Sequence, residues 1–126
     1  MSRQIIFHEE YFIDFYKTLD KSVKSKFQYV FELIKQVEMV PKKFLAPMTG
    51  QDGLFEIRVD YQSNIYRAFC CFDKGKLIVL FNGFQKKTQK TPKKEIEKAM
   101  RLKEDYFKQK NKKSWQTIKE LKLSII

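Results

Sequence analysis

The residue types that most often bind metals or act as nucleophiles are scarce in this chain. It has one histidine, His8, and two cysteines, Cys70 and Cys71. There is no CxxC pair, so the sequence predicts neither a zinc site nor a bound cofactor. The cysteines are neighbours in a predicted strand, where adjacent side chains point to opposite faces, so we expect two separate thiols. His8 is flanked by Glu9 and Glu10, and we expect a surface or helix-start residue there.

Long hydrophobic runs are also missing. No run approaches the roughly 18 apolar residues that a membrane span needs. The first residues, Met1 to His8, lack the apolar segment of about 7–15 residues that marks a signal peptide. We therefore expect a cytoplasmic protein with no membrane partner.

Positive charge and aromatic residues are abundant. The 126 residues include 26 Lys and Arg and carry a formal net charge of +11, and 15% of them are aromatic. The length is typical of one domain, and the aromatic content argues for a packed core. The charge attracts nucleic acid, an anionic membrane or an acidic protein, and charge alone does not choose among these.

The first third of the chain has helical periodicity. A short strand at Ile5–Phe7 precedes Phe12, Phe15 and Tyr16, which share one face of a first helix. Asp20 is a plausible N-cap for a second helix. Its apolar residues recur at helical spacing, and Pro41 ends the pattern; they are Val23, Phe27, Val30, Phe31, Ile34 and Val37. The two helices resemble an antiparallel pair that packs on a sheet.

The middle of the chain has strand periodicity. After an irregular stretch from Pro41 to Gly53, three strands are predicted at Phe55–Tyr61, Ile65–Phe72 and Leu77–Phe81. Short polar turns separate them, which predicts an antiparallel meander. The third strand is apolar on both faces, so we expect it to be central.

A last helix is predicted to start at Thr91-Pro92, with Thr as N-cap and Pro in the first turn. It ends, or becomes a linker, at Lys108–Lys113. The predicted fold is an α+β domain of residues 1–110, in which an N-terminal helical hairpin packs on a small antiparallel sheet and a C-terminal helix closes the domain. Residues 111–126 form an appendix whose role is open.

The candidate binding residues are basic. Arg58 and Arg67 lie on neighbouring strands, and the predicted loop Gly83–Lys94 brings further lysines to the end of the third strand. Arginine binds phosphate bidentately and lysine acts as a point charge. If they converge on one sheet face, they could hold RNA and stabilise a phosphoryl transition state. Tyr66 is a candidate for stacking on a base.

Two simpler interpretations remain open for these residues. Arg58 and Arg67 could form surface ion pairs with Glu56, Asp60 or Asp73. The lysines could be a solvated run of charge, and Glu95 could simply favour the helix dipole.

Three stretches together resemble the phage-derived HigB-like branch of the RelE toxin superfamily. They are Leu54–Arg58, Tyr66–Phe69 and Gly83–Ala99, and the similarity extends over about residues 5 to 107. The stretch Phe84–Pro92 is specific in combination, whereas the arginine strand alone would be a weak signal.

The resemblance implies the toxin of a type II toxin–antitoxin pair, with a RelE-like fold. Such toxins cut mRNA in the ribosomal A site without a metal, by attack of the 2′-OH on the adjacent phosphate, and so inhibit translation. The expected partners are the ribosome, mRNA and a helix-turn-helix antitoxin of the HigA type.

Residue by residue, the resemblance gives catalytic roles to Arg58 and Arg67 at the scissile phosphate. Lys86 and Lys87 would supply charge near the end of the sheet. From their places in the chain, and not from the resemblance, Lys90, Lys93, Lys94 and Tyr66 are predicted to bind RNA. No residue is assigned as the general base or acid. Two alternatives remain, a non-catalytic nucleic-acid-binding module and a protein-interaction subunit whose basic face meets an acidic partner.

Overall fold

The computed structural model describes the backbone of residues 2–125 and the side chains of residues 2–111. In chain order, its elements are β1 (Gln4–Phe7), α1 (Tyr11–Lys17), α2 (Lys21–Gln36), β2 (Leu45–Pro47), β3 (Phe55–Tyr61), β4 (Asn64–Asp73), β5 (Leu77–Lys86) and α3 (Lys93–Ile125). This is an α+β fold, as the sequence predicted. The sheet is mixed and not purely antiparallel, because β1 pairs parallel with β5. In the described part, no helix is long and apolar enough to cross a membrane.

The five strands lie in the order β1-β5-β4-β3-β2. The predicted meander is confirmed, because β3, β4 and β5 pair antiparallel in succession. The β3–β4 hairpin turns through Gln62 and Ser63, both of which have positive φ. Two positive φ angles in a two-residue loop match the twist of the strands, and this sets the register of the hairpin. The third strand of the meander, β5, lies between β1 and β4, so its predicted central position is confirmed.

Two strand predictions are corrected. The irregular stretch after Pro41 contains β2, which pairs antiparallel with β3 through Leu45 and Ile57. The strand predicted to stop at Phe81 continues to Lys86, so the loop that follows begins at Lys87. The strand continues because Phe84 is buried and lies opposite Arg67 on β4. This extension was not predicted, because polar residues interrupt the apolar run after Phe81.

The helical hairpin of α1 and α2 packs on one face of the sheet, which we call the hairpin face. The predicted stripe of α2 is confirmed from Val23 to Ile34, which are buried with Phe12 of α1. The hairpin face of the sheet contributes Ile57, Val59, Tyr66, Ala68, Cys70, Ile78 and Leu80 to this core. Asp20 is the N-cap residue, although its side chain makes no capping hydrogen bond.

The opposite face, which we call the α3 face, holds a second core. There α3 packs through Ala99 and Leu102 on Phe69, Cys71, Val79 and Phe81. The helix begins at Lys93, directly after Pro92, which confirms the predicted start to within a residue. The helix end or linker predicted at Lys108–Lys113 is wrong, because the helix continues through these residues to Ile125. The side chains of the predicted appendix from residue 112 onward lie outside the described residues.

The two cysteines confirm the strand geometry. Cys70 belongs to the core of the hairpin face and Cys71 to that of the α3 face, and both are free and buried. Burial raises the pKa of the Cys71 thiol to about 11 and that of Cys70 further still. Both thiols are therefore protonated near neutral pH.

Candidate nucleic-acid interface

Arg58 and Arg67 lie directly opposite each other in the β3–β4 register. Both side chains are on the α3 face, since they alternate with Ile57, Val59 and Tyr66, which belong to the core of the hairpin face. α3 packs on the half of this face that lies toward the β4–β5 turn, and the arginines lie in the other half. The predicted convergence of the two arginines on one sheet face is therefore found in the structure.

Both arginines also form ion pairs with carboxylates. Arg58 donates from Nε and from one terminal nitrogen to Glu56 Oε1, each over 2.8 Å. Arg67 donates to Asp60 Oδ1 over 3.0 Å, and its Nε lies 3.9 Å from Glu56 Oε1. Two of the partners considered from the sequence, Glu56 and Asp60, are thus real, whereas Asp73 pairs with Lys110. We call Glu56, Arg58, Asp60 and Arg67 the arginine patch.

The arginine patch retains unused hydrogen-bonding capacity. Among the described side chains, Glu56 Oε2 and Arg67 Nε are buried and have no hydrogen-bond partner. A buried polar group without a partner is costly, so a rearrangement of the patch that brings an anion to Arg67 Nε would recover free energy. Arg58 is the more accessible of the two arginines, with 36% of its side chain exposed against 11% for Arg67. An anion could therefore meet Arg58 first and Arg67 behind it.

Two of the predicted lysines lie at the end of β5, near Ile65, which pairs with Asp60 of the arginine patch. Lys86 is the last residue of β5 and pairs with Ile65, which is on the same face of β4 as Arg67. Lys86 and Lys87 line a cavity of about 350 Å³ together with Ser63, Ile65, Thr88 and Gln89. This cavity is open and polar, and its cationic wall suits a phosphate or sugar group.

The remaining lysines surround the start of α3. Lys90 is exposed in the loop, and Lys93 and Lys94 are exposed in the first turn of the helix. Positive side chains are unfavourable at the positive end of a helix dipole, so these two lysines do not serve the stability of α3. Glu95 also lies in the first turn, where it favours the dipole and accepts a hydrogen bond from Asn82 Nδ2 over 3.0 Å.

Tyr66 is not part of this surface. Its side chain points to the hairpin face, is 7% exposed and packs edge-on against Phe27. The prediction that Tyr66 stacks on a base is therefore corrected, because β4 places it on the face opposite Arg67.

Some residues of the interface were missed from the sequence. Lys42 and Lys43 are exposed in the loop before β2, and the Lys42 carbonyl accepts a hydrogen bond from Arg58 over 3.3 Å. Their place beside Arg58 depends on the pairing of β2 with β3, which was not predicted. Glu56 was treated only as a possible surface partner, although its alternation with Arg58 indicates a shared face.

A second polar cluster joins α3 to the sheet. Asp73 accepts hydrogen bonds from Tyr106 over 2.9 Å and from Lys110 over 2.8 Å. The hydrogen bond from Lys110 lowers the pKa of Asp73, and burial together with Asp73 raises the pKa of Tyr106 to about 12.

His8 belongs to the same region, and its prediction as a surface residue is wrong. It is 5% exposed, lies against Phe81 and Tyr106, and forms a hydrogen bond of 2.9 Å with Asp105 through Nε2. It is buried because β1 pairs with β5 and carries it beneath α3. Within the described residues, no group of three or more His, Cys, Asp or Glu side chains is placed to hold a metal ion.

Comparison with solved structures shows a RelE-like fold. A mutant of the E. coli toxin RelE in the free state is similar, with a TM-score of 0.51 and 12% identity over 66% of this chain and 82% of that chain. The archaeal RelE–RelB complex from Pyrococcus horikoshii OT3 has a TM-score of 0.49 and 18% identity, over 66% of this chain and 93% of that chain. The fold is thus that of the RelE-like proteins.

A family model makes the assignment more specific. The model described as phage-derived protein Gp49-like matches residues 14–104, which is most of the chain. The chain belongs to this Gp49-like family, and the RelE-like superfamily predicted from the sequence is confirmed. Comparison with curated proteins finds no significant match.

Proposed function

We propose that this protein is the toxin of a type II toxin–antitoxin pair and that it cuts mRNA on the ribosome. The observation that supports this most directly is the pairing of the partly exposed Arg58 with the buried Arg67 on one sheet face. Membership of the Gp49-like family and the RelE-like fold support the toxin assignment. The net charge of +11 supports binding to an RNA surface.

The proposed reaction needs little from the protein beyond positioning and charge. The 2′-oxygen of one nucleotide attacks the adjacent phosphorus, and the bond from phosphorus to the 5′-oxygen breaks. The products are a 2′,3′-cyclic phosphate and a free 5′-hydroxyl, with the proton of the 2′-OH released and one proton taken up by the leaving oxygen. No metal ion takes part in the proposed reaction.

The arginine patch is proposed to bind the scissile phosphate. Arg67 Nε, which has no hydrogen-bond partner, and the accessible guanidinium of Arg58 would share its non-bridging oxygens. The patch is formally neutral because Glu56 and Asp60 offset the arginines, so a bound phosphate must replace part of these ion pairs. The phosphate carries more negative charge in the transition state than in the ground state. The transition state therefore favours replacement of these ion pairs more strongly.

The lysines are proposed to orient the RNA around this point. Lys86 and Lys87 line a cavity with Ile65, the residue that pairs with Asp60 of the patch, and Lys90, Lys93 and Lys94 extend the positive surface to the start of α3. The N-terminus of a helix also attracts phosphate groups through its free N–H groups. The proposed partner is a helix-turn-helix antitoxin, encoded by the adjacent gene, that binds and neutralises the toxin.

The experiment that tests this proposal uses a defined mRNA bound to purified ribosomes. It measures whether the mRNA is cut when the protein is added and whether it stays intact without the protein. We expect cuts phased with the codons, and we expect Arg67→Ala to reduce their rate by about a hundredfold or more. Arg101→Ala is the matched control, since it removes an exposed arginine from α3 and changes the net charge equally. Arg58→Lys and Arg67→Lys should bind ribosomes normally yet cut poorly, because lysine lacks the bidentate geometry.

Other outcomes would favour the alternatives. Ribosome binding without any cuts, unchanged by Arg67→Ala, would indicate a non-catalytic RNA-binding module. Cuts that persist at full rate in Arg67→Ala would contradict the assigned site, although the protein would still be a nuclease.

A further inference from the structure

An exposed aromatic pair lies at the β2 edge of the sheet. Tyr29 faces outward from α2 and is 55% exposed, more than any other aromatic side chain among the described residues. Its ring meets that of Phe44, the residue before β2, with the centroids 6.4 Å apart and the planes at 70°. The ammonium groups of Lys26 and Lys43 lie over these two rings. We call these four residues the aromatic patch.

Hydrogen bonds join the aromatic patch to Arg58. The Arg58 N–H donates to the Phe44 carbonyl over 2.8 Å, and the Arg58 side chain donates to the Lys42 carbonyl over 3.3 Å. Phe44 packs at the rim of the core of the hairpin face, whereas the Arg58 side chain lies on the α3 face, so the β2 edge separates them. Lys42 and Phe44 are two residues apart, a span of at most about 7 Å. An RNA strand with one phosphate at Arg58 can therefore pass around this edge, beyond which no described strand lies, and place a neighbouring nucleotide at the aromatic patch.

The charge around the two rings suits a polyanion. Lys26 Nζ lies 5.2 Å from the centroid of the Tyr29 ring, and Lys43 Nζ lies 5.3 Å from that of Phe44. Between positions 21 and 44 the chain has six lysines and two glutamates, and one of these glutamates is paired with a lysine of the same helix. Exposed aromatic rings on a positive surface are the combination that binds single-stranded nucleic acid, because bases stack on the rings while phosphates meet the cations.

A similar ring at the opposite edge of the sheet lacks this setting. Tyr11 begins α1, directly after β1, and is 40% exposed, with Lys98 Nζ 5.2 Å from its ring centroid. It follows Glu9 and Glu10, both of which are exposed, and their charges repel a phosphate. Exposure and a nearby lysine therefore do not distinguish Tyr29, but the excess of positive charge around it does.

We propose that the aromatic patch binds an unpaired base of the RNA strand whose phosphate lies at the arginine patch, with the base stacked on Tyr29. Lys26 would leave the ring and pair with a phosphate, because an ammonium over an exposed ring is held less strongly than a stacked base. Phe44 would support the Tyr29 ring from the side. The aromatic patch would thus take the role that was predicted for Tyr66. This inference rests on the proposed binding of RNA at the arginine patch, but not on its cleavage.

The test measures binding of a fluorescently labelled adenosine octamer by anisotropy, without ribosomes. We expect Tyr29→Leu to weaken this binding about tenfold, which is the loss of one stacked base. An octamer of ribose phosphates without bases carries the same charge, and its weaker binding should be unchanged by Tyr29→Leu. Tyr29→Phe should bind the adenosine octamer as wild type does, because it keeps the ring and loses only the hydroxyl group.

Two further variants separate stacking from charge. Tyr11→Leu is the matched control, since it removes a comparably exposed ring with a lysine over it, and its affinity for the adenosine octamer should equal that of wild type. Lys26→Ala should weaken binding of both octamers and reduce the slope of log affinity against log salt by about 0.7, because it removes one phosphate contact. Thermal unfolding of each variant identifies any loss of binding that is due to loss of fold.

A fluorescent side chain at position 29 reports on stacking directly. Trp115 is the only tryptophan of the chain, so Trp115→Phe combined with Tyr29→Trp leaves a single indole, in the aromatic patch. The adenosine octamer should quench its emission, whereas the octamer without bases should leave it unchanged.

Three results would overturn the proposal. The first is equal affinity of the wild-type protein for the octamers with and without bases. The second is an equal loss of RNA affinity in Tyr29→Leu and Tyr11→Leu. The third is loss of antitoxin binding in Tyr29→Leu with RNA binding unchanged, because the aromatic patch would then belong to the interface with a protein.

Failure of the proposed nuclease activity would give a different pattern. If the protein makes no cuts on ribosomes but Tyr29→Leu still weakens binding of the adenosine octamer alone, the nuclease proposal fails and the stacking site stands. If the protein cuts and Tyr29→Leu binds and cuts as wild type does, the stacking site fails and the nuclease proposal stands.

Discussion

At the scale of single residues, the carboxylates of the arginine patch compete with a phosphate for Arg58 and Arg67. Glu56 is buried and holds Arg58 in place, whereas 69% of the Asp60 side chain is exposed. The two carboxylates therefore affect a ligand differently. Removing the charge of Glu56 disturbs the geometry of the patch, but removing that of Asp60 mainly releases Arg67.

We predict that Asp60→Asn strengthens binding of a short single-stranded RNA about two- to fivefold, because an exposed ion pair contributes up to about 1 kcal/mol. Fluorescence anisotropy at several salt concentrations measures the affinity. Asp52→Asn is the control, since it makes the same charge change at an exposed position outside the patch. An equal gain in both variants would show that net charge alone sets the affinity.

At the scale of elements, α1 approaches β5 most closely over Gly83. A Cβ atom at Gly83 would lie 2.5 Å from Cδ2 and 2.8 Å from Cε2 of Phe15, and 3.1 Å from Cδ1 of Phe12. Only glycine therefore allows the helix to lie at this distance. Gly83 and Lys86 belong to the same strand, β5. A shift of β5 at Gly83, where α1 packs, would therefore also move Lys86 and Lys87.

We predict that Gly83→Ala destabilises the protein by about 1–3 kcal/mol, the usual cost of overpacking. Urea unfolding at neutral pH measures the change. The double variant Gly83→Ala, Phe15→Leu should be less destabilised than the sum of the two single variants, since the smaller side chain makes room. Strict additivity of the two effects would contradict this account of the contact.

The end of β4 is tied to α3 by Asp73, which Tyr106 and Lys110 contact. Its pKa is lowered in the folded protein, chiefly by the hydrogen bond from Lys110. A lowered pKa means that the charged form is favoured by folding. The stabilisation is present above the unfolded pKa of about 3.9 and is lost as the pH falls through the lower pKa of the folded state.

We predict that Asp73→Asn costs about 1–3 kcal/mol of stability at pH 7, because hydrogen bonds to a charged group are lost. The difference from wild type should shrink as the pH falls below about 4, where Asp73 takes up a proton in the unfolded state before it does so in the folded state. Urea unfolding of both proteins across this pH range measures it. A difference that stays constant down to pH 2 would mean that the charge of Asp73 is unimportant.

At the scale of the whole molecule, one sheet separates two cores. Phe12, Phe27 and Val30 represent the core of the hairpin face, and Ala99 and Leu102 represent that of the α3 face. The arginine patch occupies the part of the α3 face that α3 leaves accessible. Cys70 and Cys71 report on the two cores separately, because adjacent residues of β4 point to opposite faces.

We predict that neither thiol of the native protein reacts with a water-soluble disulfide reagent within minutes at pH 8, since both are buried and have raised pKa values. Both should react at once in denaturant. The single variants Cys70→Ala and Cys71→Ala each leave one thiol, in a different core. The absorbance of the reagent's product, measured as denaturant is added, shows whether the two thiols become reactive together. Reaction of Cys71 before Cys70 would indicate that α3 detaches first.

The sequence by itself determined the α+β class, the helical hairpin, the three-strand meander and the opposite burial of the two cysteines. These follow from local periodicity and from turn residues, which act over a few positions. The pairing of Arg58 with Arg67 was nearly predictable too, because alternation and a two-residue turn leave little freedom in the register.

Only the tertiary structure decided the remaining features, since each depends on contacts between distant residues. Pairing with β4 carries β5 beyond its apolar run to Lys86, and α3 buries His8 beneath Asp105 and Tyr106. Whether the face that holds Tyr66 is buried depends on where α2 packs. The place of β1 at the edge of the sheet likewise depends on its parallel pairing with β5, which no local pattern in the sequence reveals.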